Sequence, residues 1–126
     1  MADSIISEDL RSRISGCRCT EKQEYLCEVD FSPSFRGFAG HFEGNPIVPG
    51  VCQIELARVF AELVLEKRLK TCEISQCRFR SPIIAGMTAR CKLLIRPCDD
   101  GGYRLQAEIR AGESTACQVR LKTEAL

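Results

Sequence analysis

The chain has 126 residues, enough for one domain with a real core and too few for two. Hydrophobic residues make up 44% and charged residues 28%, an ordinary globular balance, and a net charge of +1 argues against general nucleic-acid binding. No apolar run approaches the roughly 20 residues of a membrane span and the N-terminus lacks a signal-peptide apolar stretch, so the expectation is a cytoplasmic protein without membrane association.

In chain order, Asp3 or Ser4 caps a short peripheral helix through Leu10 and Ile14, with Glu8 and Asp9 early, Arg11 and Arg13 late, and Gly16 as its end. From Cys17 to Phe31 the pattern has period two: Tyr25, Cys27, Val29 and Phe31 share one face, and Glu24, Glu28 and Asp30 the other. A hairpin is expected near Glu21-Lys22-Gln23, and Ser32-Pro33-Ser34 breaks the strand. A helix from about Val51 to Arg68 is apolar around most of its circumference, which predicts burial. Its polar residues Glu55, Arg58, Glu62 and Glu66 form one narrow stripe. Strands then follow over Glu73–Arg80, Thr88–Arg96, Tyr103–Arg110 and Ser114–Lys122, with Asp99-Asp100-Gly101-Gly102 as a strong turn signal. One long buried helix with antiparallel strands before and after it fits an α+β domain over residues 1–126, a sheet wrapped around a helix.

Between the second strand and the helix lies Gly40-His41-Phe42-Glu43-Gly44-Asn45-Pro46-Ile47-Val48-Pro49-Gly50-Val51. Pro46 and Pro49 fix their own φ and disfavour helix just before them, while Gly44 and Gly50 permit close backbone approach. The helix opens at about Gly50 or Val51, so its unpaired N–H groups point toward the loop holding the chain's one histidine.

This stretch closely resembles the active-site motif of the β-hydroxyacyl-acyl-carrier-protein dehydratases, roughly G-H-F-P-G-x-P-x-x-P-G-V followed by an acid early in the helix. Gly40-His41-Phe42, Gly44, Pro46 and Pro49-Gly50-Val51 match it, and Glu55 stands at the acidic position. Phe79-Arg80-Ser81-Pro82-Ile83-Ile84-Ala85-Gly86 resembles that family's later F-R-x-P-V-x-P-G segment. The resemblance spans roughly Asp30 to Leu94 and implies a hot-dog fold, no metal or redox cofactor, and a thioester substrate on an acyl-carrier protein or coenzyme A. It also implies sites shared between two copies in a homodimer or an assembly of dimers. The sequence departs from the pattern at Glu43 (usually proline), Val59 (often glutamine), Ala85 and Met87, and Val51-Cys52-Gln53-Ile54 looks like a shorter, specialised subfamily.

Removing water from a 3-hydroxyacyl thioester needs a base, an acid and a holder for charge on the thioester oxygen. His41 titrates near neutrality and suits the base. Glu55 suits the acid if an apolar site raises its pKa. The N–H groups of Gly50 and Val51 suit the oxygen, each such donor being worth roughly 3 kcal/mol of barrier. Pro49 and Phe42 flank this point, and Phe38, Phe42 and Ile47 are candidate walls of an apolar tunnel.

Blander readings stand beside these. His41 alone reads as a satisfied loop residue. Glu55, three residues before Arg58, reads as one end of a helix ion pair that works against an acid role. Arg78, Arg80 and Lys92 read as a solvated strand face or as contacts for an acidic carrier. That choice is sharpened by charge asymmetry: residues 1–57 carry 5 basic and 9 acidic groups, and residues 58–126 carry 13 and 8. The nine cysteines show no Cys-x-x-Cys spacing and read as reduced, mostly small buried residues. A thioesterase on the same fold, with Glu55 activating water, and a non-catalytic acyl-thioester-binding subunit are the alternative functions.

Overall fold

A computed structural model of the chain describes residues 4–38 and 46–126. The chain runs α1 (Ile5–Arg13), β1 (Ile14–Cys19), β2 (Tyr25–Phe31), a 3-10 turn (Arg36–Phe38), α2 (Gly50–Leu65), β3 (Leu69–Phe79), β4 (Met87–Pro97), β5 (Tyr103–Ala111) and β6 (Ser114–Ala125). The strands form one antiparallel sheet in the order β1-β2-β4-β5-β6-β3. This is the hot-dog arrangement, with α2 against the inner face of the sheet.

Alternation sets that inner face. Cys27, Val29 and Phe31 of β2, Ala89, Cys91 and Leu93 of β4, Leu105, Ala107 and Ile109 of β5, and Val119 and Leu121 of β6 are all buried. Against them α2 packs Leu56, Val59 and Phe60, none with any exposed surface. The turn between β4 and β5 places Gly101 at φ +86, and a Cβ at Gly102 would sit 2.3 Å from the Thr123 carbonyl oxygen. Glycine is therefore required at 102 by the close β5–β6 approach and favoured at 101 by its left-handed φ.

Three expectations are corrected. The first helix is not peripheral: Leu10 and Ser7 are buried and α1 lies across α2 and β2. Gly16 does not end that helix, which stops at Arg13; at φ +63 it sits where the β1–β2 register shifts. The second helix ends at Leu65 rather than Arg68, because Glu66 turns left-handed at φ 53.

The described residues that flank the histidine loop are firmly anchored. Ser4 caps α1 by accepting the Ser7 N–H at 3.0 Å. Arg13 at the other end donates to the Asp30 carbonyl at 3.0 Å, to Ser32 Oγ at 2.9 Å and to Ser34 Oγ at 3.0 Å. Asp9 accepts the Arg36 N–H at 2.8 Å. Phe31, Phe35 and Phe38 then stack edge to face, with centroids 5.1 and 5.2 Å apart. Replacing Leu10 with Ala is expected to cost about 2–5 kcal/mol in urea unfolding. The same change at Ile5, which is 61% exposed on the same helix, leaves the midpoint nearly unmoved.

Candidate functional site

The two sequence motifs meet at the start of α2. Val48 donates its N–H to the Ile83 carbonyl at 2.7 Å, and Ala85 donates to the Pro46 carbonyl at 3.0 Å. Gly86, at φ +95, donates to the Phe31 carbonyl at 2.7 Å. The second motif thus clamps the segment that opens the helix against the end of β2. Phe79 closes the same corner: a Cβ on Gly50 would lie 2.6 Å from its ring, so position 50 must be bare for the ring to rest there.

Pro49 is the N-cap residue, with no side-chain capping bond. Its carbonyl accepts the N–H groups of Cys52 and Gln53 at 3.0 and 3.3 Å. Among the described residues the N–H groups of Gly50 and Val51 have no such acceptor, so they retain the positive end of the helix dipole. Around them Ile47, Val51, Phe79 and Ile84 are apolar yet exposed, Val51 at 67%. Ile47 and Ile84 are bridged across their backbones. Apolar side chains exposed together in this way are typical of interaction and ligand-binding surfaces.

Glu55 lies along α2 beneath α1. Its two oxygens accept from Arg58, Nε at 3.2 Å and Nη2 at 2.6 Å, a bidentate pair, and Oε2 also accepts the Ser7 hydroxyl at 2.8 Å. Ser7 Oγ in turn accepts from Ser4 Oγ at 2.9 Å and from Arg58 Nη2 at 3.0 Å. Two turns further on, Glu62 is buried, accepts from Arg11 at 2.6 Å and from the Leu69 N–H at 2.8 Å, and lies 3.0 Å from Arg58 Nη1. The polar stripe of α2 is therefore an internal network joining α1, α2 and β3. The ion-pair partner anticipated at Arg58 is present, and such pairing favours the charged carboxylate.

His41 and Phe42 lie outside the described residues, as does Glu43. Of the proposed tunnel walls, Phe38 belongs to the buried aromatic cluster, whereas Ile47 is exposed beside the α2 N-terminus. Arg80 donates to Gln118 at 3.3 Å and Lys92 lies 3.7 Å from Glu24, while Arg78 is exposed.

Two polar residues of the site region went unread in the sequence. Ser7 orients Glu55 from another helix, and no spacing signals that. Gln53, buried in the first turn of α2, donates to the Val48 carbonyl at 3.3 Å, while its buried Oε1 has no hydrogen-bond partner among the described residues. An amide inside a run of apolar helix residues was its available signal.

All nine cysteines are free thiols. Four are buried, while Cys17, Cys19 and Cys72 are exposed, so burial is less general than their number suggested. Cys52 stands in the first helical turn, where the dipole favours a thiolate. Burial, with a smaller push from the Glu55 charge, wins and raises it to about 11. Burial likewise raises Cys117 to about 12. Neither is a nucleophile near neutral pH. No group of three or more metal-capable side chains occurs among the described residues, and none of their helices is long and apolar enough to cross a membrane.

Fold and site together define a hot-dog protein with a dehydratase-like corner at the α2 N-terminus. The sequence pattern of the ApeI-like dehydratases matches residues 17–119, and the chain belongs to that family. It is 33% identical over 91 residues to the 3-hydroxyacyl-[acyl-carrier-protein] dehydratase FabZ of Alkaliphilus metalliredigens, covering 67% of this chain and 62% of that one. The FabZ of Koribacter versatilis is 27% identical over 95 residues, covering 69% and 61%. The chain thus spans about three fifths of the length of the curated relatives it matches. Among solved structures, the dehydratase heterocomplex ApeI:P of Xenorhabdus doucetiae superposes with a TM-score of 0.75 at 23% identity, over 87% of this chain and 95% of that one. An acyl-CoA hydrolase of Staphylococcus aureus superposes at 0.60 with 15% identity, over 82% and 64%. At these identities the superpositions establish the fold.

Replacing Arg58 with Met removes one of the two guanidiniums that meet the buried Glu62, which keeps Arg11, and breaks the paired contact to Glu55; it is expected to cost about 1–3 kcal/mol in chemical denaturation. The raised thiols set a pH dependence. Unfolding returns Cys52 and Cys117 to an ordinary value of 9.0, so their stabilisation is intact below pH 9. It declines as pH rises from 9 toward 11 and 12. Denaturation series between pH 8 and 11 should show that decline, shallower in Cys117→Ala than in wild type.

Proposed function

We propose that the chain dehydrates 3-hydroxyacyl thioesters, carried on an acyl-carrier protein, to trans-2-enoyl thioesters in the cytoplasm. The observation that carries this reading is the backbone joining of the two dehydratase-like motifs at an α2 N-terminus whose first two amides have no backbone acceptor among the described residues. Family membership and the FabZ relatives support it.

In this reading His41 takes the proton from the carbon next to the thioester carbonyl. The electron pair of that C–H bond becomes the new C=C bond as the C–O bond to the hydroxyl breaks. Glu55 gives the departing hydroxyl its proton, and water leaves. The Gly50 and Val51 amides hold the charge that develops on the thioester oxygen. Pro49 and Phe42 shape the approach, and no cofactor is called for. The site draws His41 from one copy and Glu55 from the other in a homodimer. The exposed Ile47, Val51, Phe79 and Ile84, together with the uncovered β3 edge, support such pairing. That the X. doucetiae relative is a dehydratase heterocomplex supports assembly of subunits in general.

The Arg58 and Ser7 contacts to Glu55 favour a second reading, a non-catalytic acyl-thioester-binding subunit. A guanidinium beside a carboxylate opposes the protonation that an acid role needs. The acid role requires those contacts to loosen when two copies build the site.

An enoyl-formation assay over a series of 3-hydroxyacyl-carrier chain lengths separates the readings. Dehydration predicts turnover by wild type and losses of about 10²–10⁴-fold in His41→Ala and in Glu55→Gln. Mixing the two inactive variants should restore part of the activity, because a mixed dimer keeps one intact site. Unchanged acyl binding without product, in wild type and His41→Ala alike, selects the binding subunit. Free thiol without enoyl product selects a thioesterase.

A further inference from the structure

The outer face of the sheet, turned away from α2, bears an arrangement of charge that sheet stability disfavours. Arg96 of β4 stands directly opposite Arg104 of β5, and Arg104 directly opposite Lys122 of β6. Like charges in such cross-strand positions repel. Lys122 is neutralised by Asp100, which lies in the turn between β4 and β5. Arg96, Arg104 and Arg120 have no ion pair and no side-chain hydrogen bond among the described residues. Further along the same face the cations are matched. Lys92 lies 3.7 Å from Glu24, Arg110 lies 3.7 Å from Glu108, and Arg90 donates to the Gly112 carbonyl at 3.1 Å.

Arg96, Arg104 and Arg120 all line one groove of about 370 Å³, whose other lining includes Gln106, Ser75 and the half-buried Leu94. Among the described residues no aspartate or glutamate lines it. Ser75 donates to the Arg120 carbonyl at 3.3 Å, which ties β3 to β6 at the groove wall.

We infer that this groove binds the phosphate group of a small phosphate ester. A guanidinium offers two parallel N–H donors that match two phosphate oxygens, and three forks around one space suit a group with three or more anionic oxygens better than a carboxylate with two. The groove exceeds a bare phosphate and falls at the lower end of the roughly 300–1,000 Å³ of small-molecule sites. The organic part of the ester rests on Leu94, and the Gln106 amide supplies a neutral donor. The site lies across the sheet from the α2 corner, so it stands independently of the reaction proposed there. Repulsion between Arg96 and Arg104 is the stability cost of keeping the site open, and an anion relieves it.

The test is calorimetric titration of the full chain at fixed ionic strength with inorganic pyrophosphate and with ADP. One saturable site per chain is expected. Tighter binding of ADP identifies an organic ester as the ligand, while equal binding leaves the phosphate group as the sole determinant. Arg104→Gln should weaken binding by at least roughly tenfold, the scale of one lost charge-assisted hydrogen bond. Without ligand the same variant should melt at a higher temperature, because it removes a like-charge contact; loss of binding then cannot be misfolding. Arg78→Gln, which removes an exposed cation outside the groove, should leave binding unchanged. Absence of saturation, equal loss in Arg78→Gln, or equal displacement by chloride at matched ionic strength would each overturn the inference.

Discussion

Arg58 adds a polar link to three elements that also meet through the apolar core. From the middle of α2 it grips Glu55 with two donors, reaches Ser7 of α1, and meets both the Glu62 carboxylate and the Leu69 carbonyl where β3 begins. A guanidinium with this many acceptors, only 11% exposed, is stable because every charge around it has a partner. The network fixes α1 on α2 and sets where the helix gives way to strand. It also fixes the rotamer of Glu55, and that couples the architecture to the candidate chemistry.

That coupling creates a tension within the site. At the helix N-terminus, amides with no backbone acceptor among the described residues stand beside exposed apolar side chains, as the proposed thioester substrate calls for. The acid that the motif supplies is meanwhile engaged as a structural ion-pair partner. Relatives with the same motif need not share this constraint, since it depends on Arg58 and on Ser7 of a helix that lies outside the matched residues 17–119. A residue can keep its place in a motif while its surroundings assign it a different task.

The strands were legible because period-two alternation and turn residues survive in the folded chain: Tyr103–Ala111 and Met87–Pro97 fall within a residue or so of where the pattern put them. β3 was harder. It starts at Leu69 rather than Glu73, because register shifts at Thr71/Glu73 and Ile74/Gln76 break the alternation that would reveal it. The end of α2 was hidden for another reason. Glu62 captures the Leu69 N–H across the turn, a tertiary contact that no local propensity encodes. The burial of α1 was illegible for the same kind of reason, since its contact with α2 runs as much through Ser7 and Arg11 as through Leu10. At the site, the motifs located the α2 N-terminus correctly, but spacing carried no information on which neighbour claims Glu55.

The paired backbone bonds between Pro46–Val48 and Ile83–Ala85 have one more consequence. They form a short two-rung ladder whose rungs depend on counting residues, not on which side chains those residues carry. Inserting or deleting a single residue between Phe79 and Gly86 would bring the wrong amide to each carbonyl and turn Ile84 to the opposite side. The length of that connection is therefore under tighter restraint than its composition, and variation in this corner should take the form of substitutions rather than indels.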